Sequence, residues 1–94
     1  MKRTWQLTSE SAGASFDLRF DSGVHTLGSA ADNDLRIGDP TVSRNHARIT
    51  CTEDGVTIED LGSTNGTEVD GTPVDGPVQV AGYAQIKFGR IVFA

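Results

Sequence analysis

Cysteine, aromatic side chains and long apolar runs are all scarce in this 94-residue sequence. The single cysteine, Cys51, cannot form an internal disulfide or a cysteine-rich zinc site. No apolar stretch follows the basic start of the chain, so we expect no secretion signal, no membrane span and a cytoplasmic location. A chain of this length buries one modest core and leaves little room for a deep, dry catalytic cavity.

Positive charge is in the minority. Lysine and arginine together number 8 against 13 aspartates and glutamates, which gives a formal net charge of −5. An acidic chain is repelled by nucleic-acid phosphates and by anionic lipids. We therefore expect no direct nucleic-acid partner and no membrane partner, while a local basic site stays compatible with the overall balance.

Glycine is plentiful, with 11 residues, and it recurs between short runs in which apolar and polar residues alternate. Residues 16–20 and 47–51 are clear examples of the alternation, and no window shows a helical period. The pattern predicts an all-β fold, a two-sheet antiparallel β-sandwich of about eleven strands, in a single domain spanning residues 1–94. The small-residue segment 9–15 is expected to be a loop between the first two strands.

Residues that break the strand pattern cluster in three loops, 28–33, 38–46 and 60–66. Loops held by a rigid scaffold are where binding residues concentrate. Ser43 and Arg44 in the second loop, and Thr64 and Asn65 in the third, carry hydroxyl, guanidinium and amide donors. Turns of this kind form concave anion sites, so these four residues are candidates to hold a doubly charged tetrahedral anion together.

The two loop motifs resemble those of the forkhead-associated (FHA) family. That family has a glycine at the end of an early strand, then Ser-Arg-x-His, then Ser-x-Asn-Gly; here these are Gly28, residues 43–46 and residues 63–66. The resemblance covers about residues 5–94. It implies an SMAD/FHA-like sandwich that binds phosphothreonine in a phosphorylated partner protein or peptide, as a signalling module that needs no cofactor.

The resemblance also implies a phosphopeptide-binding set of Ser29, Thr41, Ser43, Arg44, Thr64 and Asn65. Ser43 and Thr64 would hydrogen-bond the phosphate, and Arg44 would donate to the phosphate or to the partner's backbone. Asn65 would fix the partner's main chain. Thr41 lies where the family often reads residues beyond the phosphothreonine.

Three further residues would have structural roles in these loops by the same resemblance. His46 would brace the loops, and Gly28 and Gly66 would allow tight turns. Ser29 is a departure, because the family usually places a phosphate-clamping arginine there, and its loss implies weaker phosphate binding. Arg44 or Arg36 are candidates to compensate.

The departure at Ser29 keeps an alternative open. In this alternative the chain is a phosphate-independent protein–protein or intramolecular docking domain, such as a regulatory domain of a bacterial transcription activator. In either case the partner is a protein, which includes other domains of a parent chain.

Catalytic and metal functions are disfavoured by the residues themselves. Ser43 and His46 suggest a nucleophile and a base, but no third group or oxyanion hole accompanies them, so we expect no enzyme activity. His25 and His46 lack metal-ligand spacing. The segment Asp32-Asn33-Asp34 and Asp39 lack the twelve-residue calcium pattern, and we expect no metal site.

Overall fold

Short β-strands account for the regular structure of this protein. A computed structural model describes residues 4–11, 13–80 and 84–93, and within these ranges it contains eleven strands and no helix. The strands are β1 (Thr4–Ser11), β2 (Ala14–Asp21), β3 (Gly23–Gly28), β4 (Leu35–Arg36), β5 (Ala47–Thr52), β6 (Gly55–Asp60), β7 (Thr67–Val69), β8 (Thr72–Pro73), β9 (Val78–Val80), β10 (Ile86–Phe88) and β11 (Ile91–Phe93). The predicted all-β class and strand number are confirmed.

The strands hydrogen-bond in three groups. A five-stranded sheet has the order β4-β3-β5-β6-β9, a four-stranded sheet has the order β11-β10-β7-β8, and β1 and β2 form a hairpin. The hairpin lies beside the four-stranded sheet, since β1 contacts β11. All pairs are antiparallel except β3 and β4, which run parallel.

The core lies between the layers, where the alternating residues point inward. On β5, Ala47, Ile49 and Cys51 are buried, and on the opposite layer the side chains of Phe88 and Phe93 are fully buried with ring centroids 5.8 Å apart. Apolar burial of this kind is the main favourable term in folding. Burial also raises the pKa of the Cys51 thiol, which agrees with a core role for this residue.

The predicted loop over residues 9–15 is wrong. β1 continues to Ser11 and β2 starts at Ala14, with Ser9 paired to Phe16 and Glu10 to Ser15 across the hairpin. Ser9 is itself buried. Small polar residues fit a strand as well as a loop, and here the ladder between β1 and β2 decides the outcome.

Strand pairing brings the three loops to one end of the molecule. Leu27 at the end of β3 pairs with Ala47 at the start of β5, which in turn pairs with Asp60 at the end of β6. In the other sheet Thr67, at the start of β7, pairs with Phe88, just before the β10–β11 turn. The paired ends of these five strands therefore hold loops 28–33, 38–46 and 60–66 together.

No helix in the described ranges is long and apolar enough to cross a membrane.

Gly89 in the β10–β11 turn combines two constraints. Its φ is +60°, and a Cβ there would collide with the Thr41 carbonyl oxygen and lie 2.6 Å from the Thr41 hydroxyl. Gly71 in the β7–β8 turn shares only the first constraint, because its φ is +82° and nothing lies within 4 Å. We expect Gly71→Ala to cost roughly 1–2 kcal/mol, the usual left-handed penalty.

Gly89→Ala should cost clearly more than this control, because the backbone of Thr41 must also move. Thermal unfolding measures the difference, since each kcal/mol shifts the midpoint by roughly 4–8 °C in a domain of this size. Equal midpoints for the two variants would contradict the tight packing of loop 38–46 on this turn.

Candidate functional site

The two motif loops meet through hydrogen bonds. The Thr64 amide donates to the Ser43 hydroxyl oxygen at 3.0 Å, and the Asn65 side-chain amide donates to the Thr41 carbonyl at 2.8 Å. Because the Ser43 oxygen acts as an acceptor here, its own proton stays available to an outside acceptor. No hydrogen bond involves the hydroxyls of Ser29 or Thr64 within the described part of the chain.

The buried side chain of His46 links the same two loops. His46 has no solvent exposure, and its Nδ1 accepts a hydrogen bond from the Ser43 amide at 2.9 Å. A backbone amide can only donate, so Nε2 carries the ring proton and donates it to the Gly66 carbonyl at 2.9 Å. The ring also packs edge-on against Phe88. His46 thus fixes the spacing between loops 38–46 and 60–66.

The same geometry bears on the nucleophile–base hypothesis. His46 contacts the amide of Ser43, and the Ser43 hydroxyl is paired with Thr64. A general base must reach the proton that it removes. The imidazole is therefore not arranged to activate the Ser43 hydroxyl.

Asp60 organises loop 60–66. One carboxylate oxygen accepts from the hydroxyls of Ser63 (2.6 Å) and Thr67 (2.7 Å), and the other accepts from the amides of Gly62 and Ser63. Burial alone would raise the pKa of Asp60, but the hydrogen bonds from Ser63 and Thr67 outweigh it and lower the pKa. In the sequence analysis Asp60 is only the first residue of loop 60–66; the signal for its role is an acid that precedes a Gly-Ser turn.

Asp39 and Arg90 fasten loop 38–46 to the β10–β11 turn. Arg90 Nη2 lies 2.9 Å from Asp39 Oδ1, and the Thr41 hydroxyl donates to Asp39 Oδ2 at 2.5 Å. Hydrogen bonds from Arg90 and Thr41 hold the pKa of Asp39 at about 2, below the ordinary value of 3.8. Sequence reasoning did not identify Arg90, which lies 51 residues from Asp39 along the chain.

The Thr41 hydroxyl uses its only proton within this network. It donates to Asp39 and accepts from the Arg90 amide at 3.0 Å. Thr41 lines the surface of the site, but its hydroxyl is occupied inside the protein. Thr41 therefore has no hydroxyl proton to donate to a partner, and its backbone amide and carbonyl are already hydrogen-bonded to Asp39 and Asn65.

Gly28 admits a close approach of two chain segments. Its φ is not in the left-handed region, and a Cβ there would lie 2.7 Å from the Arg44 carbonyl carbon and 2.9 Å from the Asn33 side-chain nitrogen. Asn33 donates to the Arg44 carbonyl at 2.7 Å, which draws loop 28–33 against loop 38–46. The turn role expected for Gly28 is thus replaced by a packing role, whereas Gly66 has a φ of +85°, as a tight turn requires.

An open groove of about 770 Å³ lies over these loops. Its lining, here called the loop groove, consists of Ser29, Arg36, Gly38, Asp39, Pro40, Thr41, Val42, Ser43, Arg44, Gly62, Thr64 and Asn65. The set includes every residue that the sequence proposed for phosphopeptide contact. It also includes Arg36, which the sequence suggested only as a candidate to compensate for the arginine missing at position 29.

The loop groove is basic although the chain is acidic. Of its three charged residues, Asp39 is neutralised by Arg90, while Arg36 and Arg44 have no carboxylate partner among the described residues. These two guanidinium groups lie beside the hydroxyls of Ser29, Ser43 and Thr64, whose protons no described residue accepts, and together they make a donor-rich surface. Such a surface suits a multiply charged oxyanion, because charge-assisted hydrogen bonds are the strong ones.

Comparison with known proteins agrees with this geometry. A family model described as "FHA domain" matches residues 25–89. The glycogen accumulation regulator GarA of Mycobacterium tuberculosis is 39% identical over 83 residues, which cover 87% of this chain and 50% of the relative. The chain thus spans about half the length of this relative.

Two solved structures are similar over nearly the whole chain. The FHA domain of the CT664 protein from Chlamydia trachomatis has a TM-score of 0.84 at 28% identity, and the match covers 99% of this chain and 94% of that one. A structure described as an analysis of "phosphothreonine-dependent FHA domain interactions" has a TM-score of 0.78 at 30% identity, with coverage of 99% and 93%.

The low pKa of Asp39 makes the stability of this site dependent on pH. A carboxyl whose pKa is lower in the folded state stabilises the fold above its unfolded pKa and loses that effect as pH falls through the folded pKa. For Asp39 the loss should run from about pH 4 towards the folded value of about 2. Urea unfolding at about pH 5 and about pH 2.5 measures it.

Asp39→Asn should be less stable than the parent at pH 5, and its stability should fall less between the two pH values. Asp54→Asn, at the exposed β5–β6 turn, is the control for removing one carboxylate. A parallel pH dependence in the parent and Asp39→Asn would contradict the ion pair.

Proposed function

Because the chain belongs to the FHA domain family, we propose that it is a phosphothreonine-peptide-binding signalling module with a regulatory role. The observation that carries the proposal is the convergence of Ser43, Arg44, Thr64 and Asn65 on one groove. A phosphothreonine brings a charge of about −1.5 to −2 and three acceptor oxygens at neutral pH. The groove offers donors and positive charge for both properties.

The geometry supports a division of roles. The Ser43 and Thr64 hydroxyls have protons to donate to the phosphate, and the Arg44 guanidinium is exposed and unpaired within the described ranges. The Asn65 amide nitrogen is anchored to Thr41, which leaves its carbonyl oxygen for the main chain of a bound peptide. His46, Gly28 and Gly66 would keep these groups in place without touching the ligand.

We propose further that phosphate binding is weaker than in family members with an arginine at the position of Ser29. A hydrogen bond to a charged group contributes roughly 1.5–3 kcal/mol. Each 1.4 kcal/mol is a factor of ten in affinity, so the deficit is about one to two orders of magnitude.

A binding role without catalysis fits the same arrangement, because the Ser43 hydroxyl is not paired with the His46 imidazole. On this proposal residues 1–94 form a single FHA domain that works in the cytoplasm and needs no cofactor. Its partner is a phosphorylated protein or peptide, and another domain of a parent chain also qualifies. A regulatory relative such as GarA is consistent with this scheme.

A degenerate phosphothreonine peptide library tests the central proposal. The protein should retain phosphorylated members over their unphosphorylated counterparts, and Ser43→Ala should remove most of this preference because the phosphate loses a hydroxyl donor. Arg19→Gln, on the exposed face of β2, is the control and should bind like the parent. Binding of both peptide forms with equal affinity would instead favour the phosphate-independent docking domain.

Ser29→Arg tests the proposed deficit. Adding a guanidinium at the end of β3 should tighten binding of the selected phosphopeptide by about tenfold or more. It should leave binding of the unphosphorylated peptide unchanged. Isothermal titration calorimetry measures both affinities. If the parent already binds the phosphopeptide tightly and Ser29→Arg does not raise the affinity, the proposed deficit at position 29 is wrong.

A further inference from the structure

One arginine of the loop groove is held in place by the backbone beside Ser29. We propose that the guanidinium of Arg36 donates hydrogen bonds to the phosphate of the bound ligand and so partly replaces the arginine absent at position 29. This inference rests on the proposed function and names a specificity-determining residue within it.

The backbone fixes where Arg36 begins. In the parallel β3–β4 pair, Arg36 is opposite Gly28, and the Ile37 amide donates to the Gly28 carbonyl at 2.9 Å. Leu35 and Ile37 on either side are buried, so the alternation of the strand directs Arg36 outward. The residue therefore stands next to Ser29 at the mouth of the groove.

The side chain is held as well. Arg36 Nε donates to the Ser29 carbonyl at 3.0 Å. The guanidinium rests against Gly38, where an added Cβ would lie 3.3 Å from Nη1 and 3.5 Å from Nη2. The Nε hydrogen bond fixes the orientation of the planar guanidinium. Both terminal nitrogens, Nη1 and Nη2, remain without a partner in the described ranges. An anchored fork loses less conformational freedom when it binds an oxyanion.

The other arginines in the described ranges are less suited to this task. Arg19, Arg48 and Arg90 each pair with a carboxylate, of Asp17, Glu59 and Asp39 respectively. Arg44 is unpaired, but nothing in the described ranges anchors its guanidinium. Arg36 is thus the arginine of the groove that is both held in position and free of a neutralising acid.

The substitution Arg36→Gln tests the inference on the phosphopeptide selected from the library. Affinity should fall about tenfold, the usual effect of losing one charge-assisted contact. Arg36→Lys keeps the charge but lacks the Nε donor and the fork, so its affinity should be intermediate. Arg19→Gln removes the same charge outside the groove and should bind like the parent, and all variants should bind the unphosphorylated peptide alike.

A double-mutant cycle with Ser29→Arg gives the sharper result. If residues 29 and 36 address the same phosphate, the gain from Ser29→Arg should be several-fold larger in the Arg36→Gln background than in the parent. Additive effects would mean that Arg36 does not share the task, and would overturn the inference.

The outcomes separate this inference from the proposed function. If Arg36→Gln binds like Arg19→Gln while Ser43→Ala loses phosphate preference, Arg36 is a bystander and the proposed function stands. If the parent shows no phosphate preference at all, the proposed function fails, and the inference fails with it.

Discussion

The arrangement of the site depends on one buried imidazole that links two loops. His46 accepts from the Ser43 amide and donates to the Gly66 carbonyl, and both partners are backbone groups. Its burial makes these bonds obligatory, because an unpaired ring nitrogen in the core would be costly. The distance between the Ser43 and Thr64 hydroxyls follows from this link. A protein with mobile loops would instead lose binding energy in ordering them.

A second constraint is the placement of charge. Two aspartates of the motif loops are engaged inside the protein: Asp39 pairs with Arg90, and Asp60 accepts from the hydroxyls of Ser63 and Thr67 and from the amides of its own loop. The positive charges of Arg36 and Arg44 are left uncompensated at the groove. A chain of net charge −5 can thus offer a local site for an anion while repelling extended polyanions.

Features that depend on neighbouring residues could be predicted from the sequence, whereas contacts between residues far apart in the chain could not. Alternation and turn residues predicted the strands, and the two motifs marked two loops that the structure brings into contact. The segment 9–15 was misjudged because its small polar residues do not reveal the long β1–β2 ladder. Neither the Asp39–Arg90 pair nor the packing role of Gly28 has a local signature, since each depends on a partner brought in by strand pairing.

The central claim is that one end of the sandwich binds a phosphorylated threonine. Amide chemical-shift mapping by nitrogen-15 NMR, during titration with phosphothreonine peptide, tests it most directly. The account predicts phosphate-dependent shifts in residues 28–30, 41–46 and 62–66. The β5–β6 turn at residues 53–54, beyond the far ends of these strands, should stay unchanged. Shifts confined to that far end, or identical shifts with unphosphorylated peptide, would contradict the account.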